Sequence, residues 1–566
     1  MKKITLWIVA IVLVVGASIF AFMVASTDEQ EVTLEPIEDP VFLYVNIGQL
    51  AQKGGFEKFI TPENRAFLST VLSSQLDSAE EAEHLKSIIT NLDVIGIDTQ
   101  EPIYGYITDD LSGYVVVAKV LDVAQIDKSV ALLSYILEQN GEGAINILTE
   151  DDMRMFECDG VAVVYNSQRV AVSLGDTDEI VDIAKEAISR PQVNLSVFGD
   201  SDMALLVNTD RCVQLASAQA NDAISELNEK YNAGEIGMER YSTQAEALAE
   251  RDELILSYAT YFEPNSHIML STTFDLGRMT LAYSSKGINF GEYAGIGKSV
   301  NMEHLSNLSN DAYAVMSAGV DGTILAQFVR TMLNGDMLQS VGITPTNEIN
   351  MLVSIACDAL STINGGVTLA IEEVDGEIKP RYNYYWDEYY IEPEIKSVKA
   401  MLLADVTDTY IISNIAQFAG GFLRKVDATH YTLRLMNYNF SMGQDDNMFH
   451  LGVNMAPQTL TSSALDAEWA KDVEGAMGYM AVNVDALMAS KFMKSTNKYI
   501  TSQIMEEYRE LYHNATEAVS YIYASVDSLE SAEVVVVFDD KSVNALEQIN
   551  ALVLPILVKE GLKSLY

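Results

Sequence analysis

Val41-Phe42-Leu43-Tyr44-Val45-Asn46, followed by Ile47-Gly48, is an apolar strand that ends in an amide residue just before a helix start. The pattern returns as Met203-Ala204-Leu205-Leu206-Val207-Asn208 before Thr209-Asp210. A third copy is Tyr313-Ala314-Val315-Met316-Ser317-Ala318-Gly319 before Val320-Asp321, and a fourth is Tyr479-Met480-Ala481-Val482-Asn483 before Val484-Asp485. A strand apolar on both faces belongs inside a sheet. The Asn or Gly at its end tolerates a positive φ or bonds its own backbone, and the Asp two residues on suits a helix cap. Turn-and-cap chemistry therefore outweighs a ligand-binding role for Asn46, Asn208 and Asn483.

The spacing resolves the copies into pairs. Asn46 to Asn208 is 162 residues, Asn208 to Gly319 is 111 and Gly319 to Asn483 is 164. The first and third copies are 273 apart and the second and fourth 275, far beyond solenoid periods of roughly 20–50. Weaker matches follow in the same order: Val120–Val123 with Leu403–Val406, Tyr258–Thr260 with Tyr523–Ser525, and Phe274-Asp275 with Phe538-Asp539. The body thus reads as a tandem duplication, with one half over 41–300 and another over 301–566, after an N-terminal segment (1–26) and an acidic linker (27–40).

Within a half, Thr61-Pro62 opens a helix with a cap and a proline at its first position. Alternation marks strands near Ile103–Ile107 and Tyr114–Val120. A hairpin spans Val161–Tyr165 and Val170–Leu174. Two long helices, about Asp210–Tyr231 and Met238–Tyr261, follow the second copy. The second half shows a larger hairpin, Tyr431–Met442 and Met448–Asn454, then paired helices between Asp485 and Ala524. A final helix from about Ser542 to Leu562 should be kinked or interrupted at Pro555. Helices and hairpins in blocks argue an α+β fold, each half an antiparallel sheet with helices packed on one face.

Lys2 and Lys3 precede an uncharged run from Ile4 to Ala25 that includes Trp7, Val14 and Phe20. Its length suits a membrane span better than a cleaved signal peptide. Lysines before the run and acids after it predict a cytoplasmic amino end and an exported body. The net charge of −46 disfavours nucleic acid as a partner. Cys158, Cys212 and Cys357 are far apart and read as small core residues rather than disulfides.

Catalytic motifs are wanting. Gly291–Ser299 ends in Gly-Lys-Ser but holds Glu292 where a phosphate-cradling loop requires glycine, which also puts a negative charge toward any phosphate, so a linker is the better reading. Ser495-Thr496-Asn497-Lys498 lacks the companion motifs of penicillin-binding proteins. No histidine pair has helical metal-ligand spacing. His430 and His450 lie on two arms of one hairpin, in a register that does not set them opposite each other. Asp445-Asp446 lacks the alternating calcium-loop pattern. The expectation is no metal, no cofactor and no enzyme. The most unusual stretch is Tyr382–Tyr390, where Tyr382, Tyr384, Trp386 and Tyr389 supply aromatic faces beside carboxylates for a glycan or protein partner.

The Tyr44-Val45-Asn46 and Met480-Ala481-Val482-Asn483 strand ends, the Ser309-Asn310-Asp311-Ala312-Tyr313 run and the Val161–Leu174 hairpin together resemble a family of exported proteins of the Bacteroidota. That family is catalogued as a domain of unknown function and is often anchored as lipoproteins; this chain has no lipoprotein cysteine. The resemblance implies an envelope location and no assigned chemistry. Three functions are consistent with the sequence: a membrane-anchored exported binding or structural protein, a carbohydrate-binding surface protein using Tyr382–Tyr390, and an envelope hydrolase without a recognisable motif. Oligomeric state is not legible.

Overall fold

The structure is a computed structural model that describes residues 37–55, 78–90, 92–108, 113–139, 144–158, 160–175, 179–291, 294–333, 346–383, 388–419 and 421–564. The chain divides into two compact units, Met1–Asn289 with Ser542–Tyr566, and Phe290–Lys541. The last helix, Ala545–Ser564, therefore belongs to the first unit. Asn544 Nδ2 donates to the Phe274 carbonyl and Asn550 Nδ2 to the Gly54 carbonyl, both at 2.9 Å. The helix runs without interruption through Pro555, where a kink or an interruption was expected.

The first unit is an antiparallel sheet of β1 (Val41–Val45), β2 (Ile103–Ile107), β3 (Tyr114–Lys119), β4 (Leu148–Glu150), β5 (Met153–Cys158), β6 (Val161–Tyr165), β7 (Arg169–Leu174), β8 (Met203–Asn208), β9 (Phe262–Asp275) and β10 (Arg278–Ile288). Their spatial order is 4-5-6-7-3-2-1-8-9-10. β1 is central, as its apolar faces require, and its Phe42 and Tyr44 stack on Phe198.

The second unit contains β11 (Gly297–Lys298), β12 (Ala314–Asp321), β13 (Ile363–Asn383), β14 (Glu388–Val406), β15 (Arg424–Lys425), β16 (Tyr431–Leu435), β17 (Tyr438–Asp445), β18 (Met448–Val453), β19 (Gly478–Asn483), β20 (Val519–Ser528) and β21 (Ser531–Phe538). Its order is 15-16-17-18-14-13-12-19-20-21, with β11 pairing the end of β12. Strand for strand this is the order of the first unit. The rows also correspond. Leu206, Phe42, Tyr106, Val115, Ser173 and Ala162 lie side by side in one sheet. Ala481, Val315, Ala370, Met401, Gly452 and Ser441 do so in the other.

This register refines the sequence matches. Ala118 faces Val170 as Ala404 faces Phe449, so the counterpart of Asp122 is Asp408 and not Asp405. Both aspartates accept from the amide two residues on at 2.8 Å, starting a helix each. Tyr258 is helical whereas Tyr523 is in β20, so that match is not structural. The expected helix pair over Asp485–Ala524 is instead three helices, Val484–Ala489, Lys491–Gln503 and Glu506–Glu517, and then β20.

The strand-end asparagines serve as caps and clamps. Asn46 Oδ1 accepts from the Gln49 amide and Asn483 Oδ1 from the Ala486 amide. The strand-end residue itself is the cap, rather than the Asp two positions on; Asp321 caps after the third copy. Asn208 Nδ2 grips the carbonyls of Ile37 and Asp39 ahead of β1, and Asn483 Nδ2 grips that of Asn310 ahead of β12.

Two expectations are corrected. Helices cover both faces of the first sheet. Val123–Gln139 packs Ile126 and Val130 on Ala118, Val120, Tyr165 and Val170. Ile180–Ser189 packs Ala184, Ala187 and Ile188 on Val117, Val164 and Ala171, whose side chains alternate to the opposite face. The single-pass membrane reading also falls, because among the described residues no helix is long and apolar enough to cross a membrane. Ile4, Trp7, Val14, Phe20 and Ala25, on which that reading and the cytoplasmic-in, exported-body location stood, lie outside the described residues, as do Thr61-Pro62 and the helix expected there.

Candidate functional site

The two sheets differ most where β2–β3 and β13–β14 leave the shared register. In the first unit the pair ends at Thr108 and Gly113, which exchange hydrogen bonds of 3.0–3.2 Å. Their counterparts are Glu372 and Lys399, where β13 and β14 run on to Asn383 and back from Glu388. Glu372 is the extra residue of a β-bulge, between the pairs Ile371–Ala400 and Glu373–Lys399. A bulge turns its residue out of the ladder and re-aims the side chain.

Glu372 lines a cleft of about 750 Å³ together with Ser309, Asp311, Tyr313, Lys399 and Asn454. The far wall is the stretch Met455–Ser462, which forms no helix or strand. Burial pushes the Glu372 carboxyl above its ordinary range, partly offset by the Ser309 amide, which donates to Oε1 at 2.7 Å. Lys399 is held by Glu373 at 2.6 Å. Burial also raises the Tyr313 phenol. The lining mixes carboxylates, amides, hydroxyls and one aromatic face, the composition that orients a small polar ligand.

A second polar group is sealed. Ser317 Oγ and Thr368 Oγ1 lie 2.9 Å apart, Thr368 Oγ1 is 2.9 Å from His304 Nδ1, and His304 Nε2 is 3.2 Å from Asp405 Oδ1. Asn301 Nδ2 and the Gly366 amide also donate to Asp405, at 2.9 and 2.7 Å. The series looks like a nucleophile–base–acid arrangement, but Ser317, Thr368 and His304 are at most 3% exposed. With no access for substrate, it holds β12, β13 and β14 together as a satisfied buried network.

The third group joins residues that the expected hairpin register kept apart. The expected two-armed hairpin is three strands, β16, β17 and β18, so His430, immediately before β16, and His450, in β18, flank Gly443 of β17. Gly443 faces His450 directly, and continuing the Tyr431–Met442 register by one residue sets His430 beside Gly443. A Cβ at 443 would collide with the His430 ring and lie 2.8 Å from His450 Cε1. Its absence lets the two imidazoles meet across the middle strand, with ring centroids 5.5 Å apart. Asp445 projects on the same face two residues on, and its Oδ1 is 3.2 Å from His430 Nε2. Among the described residues, His430, Asp445 and His450 form a group able to hold a metal ion, one ligand atom from each lying within 4.8 Å of the others. Burial lowers the His430 pKa, but Asp427 and Asp445 outweigh it and hold it above the ordinary value. Burial, reinforced by His430, lowers that of His450.

Of the aromatic stretch, Tyr382 pairs with Tyr389 across β13 and β14, and Tyr382 is exposed. Tyr384 and Trp386 lie outside the described residues. None of Cys158, Cys212 and Cys357 forms a disulfide. The cleft rests on Ser309–Tyr313, which was legible only as a motif, and on a bulge that no propensity announces.

Fold and cleft together define a two-unit α+β protein whose second unit carries a polar cleft beside a strand bulge. Residues 32–546 match the family model described as Domain of unknown function (DUF4836), and the chain belongs to that family. No curated protein matches the chain. One solved structure, described as "Structure of crystal form I of TP0453", is similar at 12% identity over 46% of this chain and 82% of that chain, with a TM-score of 0.22. At that score it carries no argument.

Proposed function

We propose that the protein is a non-enzymatic binding protein whose second unit receives a small polyhydroxylated ligand, a glycan fragment in the first instance. The observation that carries this is the bulged, half-buried Glu372 in the cleft. A carboxyl kept above its ordinary pKa by burial is maintained at a cost to stability, and such groups concentrate at functional sites. Asp311, Glu372 and Asn454 supply acceptors, the Lys399 ammonium and the Asn454 amide supply donors, and Tyr313 supplies a face for a sugar ring. The sealing of His304, Thr368 and Ser317 supports binding over hydrolysis.

Saturation-transfer NMR with mono- to tetrasaccharides and simple polyols tests the reading. Transfer to at least one sugar, lost in Glu372→Gln and in Tyr313→Ala while both variants unfold cooperatively, is the expected result. Transfer to none of them, or transfer that both variants retain, would overturn it.

A further inference from the structure

We propose that His430, Asp445 and His450 form a binding site for a divalent transition-metal ion, zinc in first place, in the second unit. Two imidazoles and one carboxylate are the donor set that zinc takes when one coordination position is left to water. The edge of a zinc tetrahedron with ligand bonds of about 2.0–2.1 Å is about 3.3 Å, and His430 Nε2 already stands 3.2 Å from Asp445 Oδ1.

Three further observations point the same way. Asp427 Oδ1 lies 2.9 Å from His430 Nδ1. A carboxylate on the far ring nitrogen fixes the tautomer that offers Nε2 to a metal, the usual outer-shell support of a zinc histidine. His450 is only 3% exposed, and its Nδ1 is buried with no hydrogen-bond partner. A buried orphan of this kind needs an explanation, and an ion close to the ring supplies one.

The last observation is the sister unit. The counterparts of His430, Gly443 and His450 are Met155, Val164 and Ala171, one continuous apolar row. The same framework thus packs ordinary side chains here, and the histidines are not demanded by the fold. Access differs too. Helix Ile180–Ser189 covers the row in the first unit, whereas the chain from Asn454 to Ser463 in the second contains no helix. The Asp445 and His430 side chains are 59% and 26% exposed, so an ion can reach the group from their side.

The test is calorimetric titration of the metal-free full chain with Zn²⁺, with Ca²⁺ as the control for the acidic surface. One zinc site per chain is expected, with Ca²⁺ at least 100-fold weaker. His450→Ala should weaken zinc at least 100-fold, and Asp427→Ala about 10- to 100-fold. The triple change His430→Met, Gly443→Val and His450→Ala copies the first unit and should abolish binding in a folded protein. Bound Co²⁺ should show the visible absorption of low-coordinate N/O ligation, lost in the same variants. Absence of saturable zinc binding in the wild-type chain would overturn the proposal. So would zinc binding that His450→Ala and the triple variant leave unchanged, since the ion would then sit elsewhere on the acidic surface.

Discussion

The row Met155–Val164–Ala171 and the row His430–Gly443–His450 occupy the same place in two sheets of the same strand order. The first is a filled core, with Met155, Val164 and Ala171 at most 4% exposed under a helix. The second exchanges that apolar volume for two imidazoles, a missing side chain between them and a solvent-facing carboxylate. A framework that buries a row against a helix once does not have to do so twice. Where the covering helix is absent, the same strands can present polar groups instead. The β2–β3 and β13–β14 pairs teach the same lesson, since a pair held at Thr108 and Gly113 becomes a bulge and a cleft at Glu372 and Lys399.

The sharpest way to break the comparison is to move a histidine into the core row. Ala171→His inserts an imidazole at a fully buried position without a partner and should destabilise the first unit by about 3 kcal/mol or more. The metal-free His450→Ala change should cost about 1 kcal/mol or less, because it removes an orphaned polar atom along with the ring. Denaturant unfolding compares the two; equal costs would mean that the rows are packed alike. Next in size is Gly443→Val. Valine is native at the counterpart position 164, but here it meets the His430 and His450 rings, so a loss of about 2 kcal/mol is expected, together with loss of zinc binding.

The buried network supplies a pH test. Burial alone would raise the Asp405 carboxyl, but hydrogen bonds from His304, Asn301 and the Gly366 amide outweigh it and hold it below the ordinary value. A depressed carboxylate stabilises the fold above its unfolded pKa of about 3.9, and that contribution is lost as pH falls through the lower folded value. Melting temperature should therefore drop on the acid side in the wild type, and Asp405→Asn should flatten that limb while lowering stability at neutral pH. An acid limb unchanged in Asp405→Asn would place the sensitivity elsewhere. The smallest effect is expected at Glu372. Its raised carboxyl favours the folded state only when protonated, so stability rises as pH falls through the folded value. Glu372→Gln should raise the melting temperature at neutral pH while removing ligand transfer in the cleft. A fall would mean that the charged form is better supported than the cleft geometry implies.

Much of the local structure was legible because it depends on near neighbours. The strand bounds at Ile103–Ile107 and the helix starting at Met238 follow from alternation and periodicity. The asparagine turns follow from the short reach of the side chain, although the cap proved to be Asn46 and Asn483 themselves. The hairpin containing His430 and His450 was misread because the alternation of Tyr431–Met442 does not reveal that the chain folds back between Leu435 and Tyr438. Moving the turn from Gly443–Asn447 to either side of β17 changes which residues meet.

The sequence by itself determined that apolar strands end in amides and helices begin there, that the pattern occurs as two pairs, and that the chain is strongly acidic. These properties reside in single residues and short spacings. Only the tertiary structure decided that His430 and His450 share a face with Gly443 between them, that Glu372 is bulged into a cleft, and that a Ser–Thr–His–Asp series is sealed. Each of these depends on strand register, where a shift of one residue turns every side chain to the other face of the sheet. Register is set by packing across the whole sheet, which no short stretch of sequence contains.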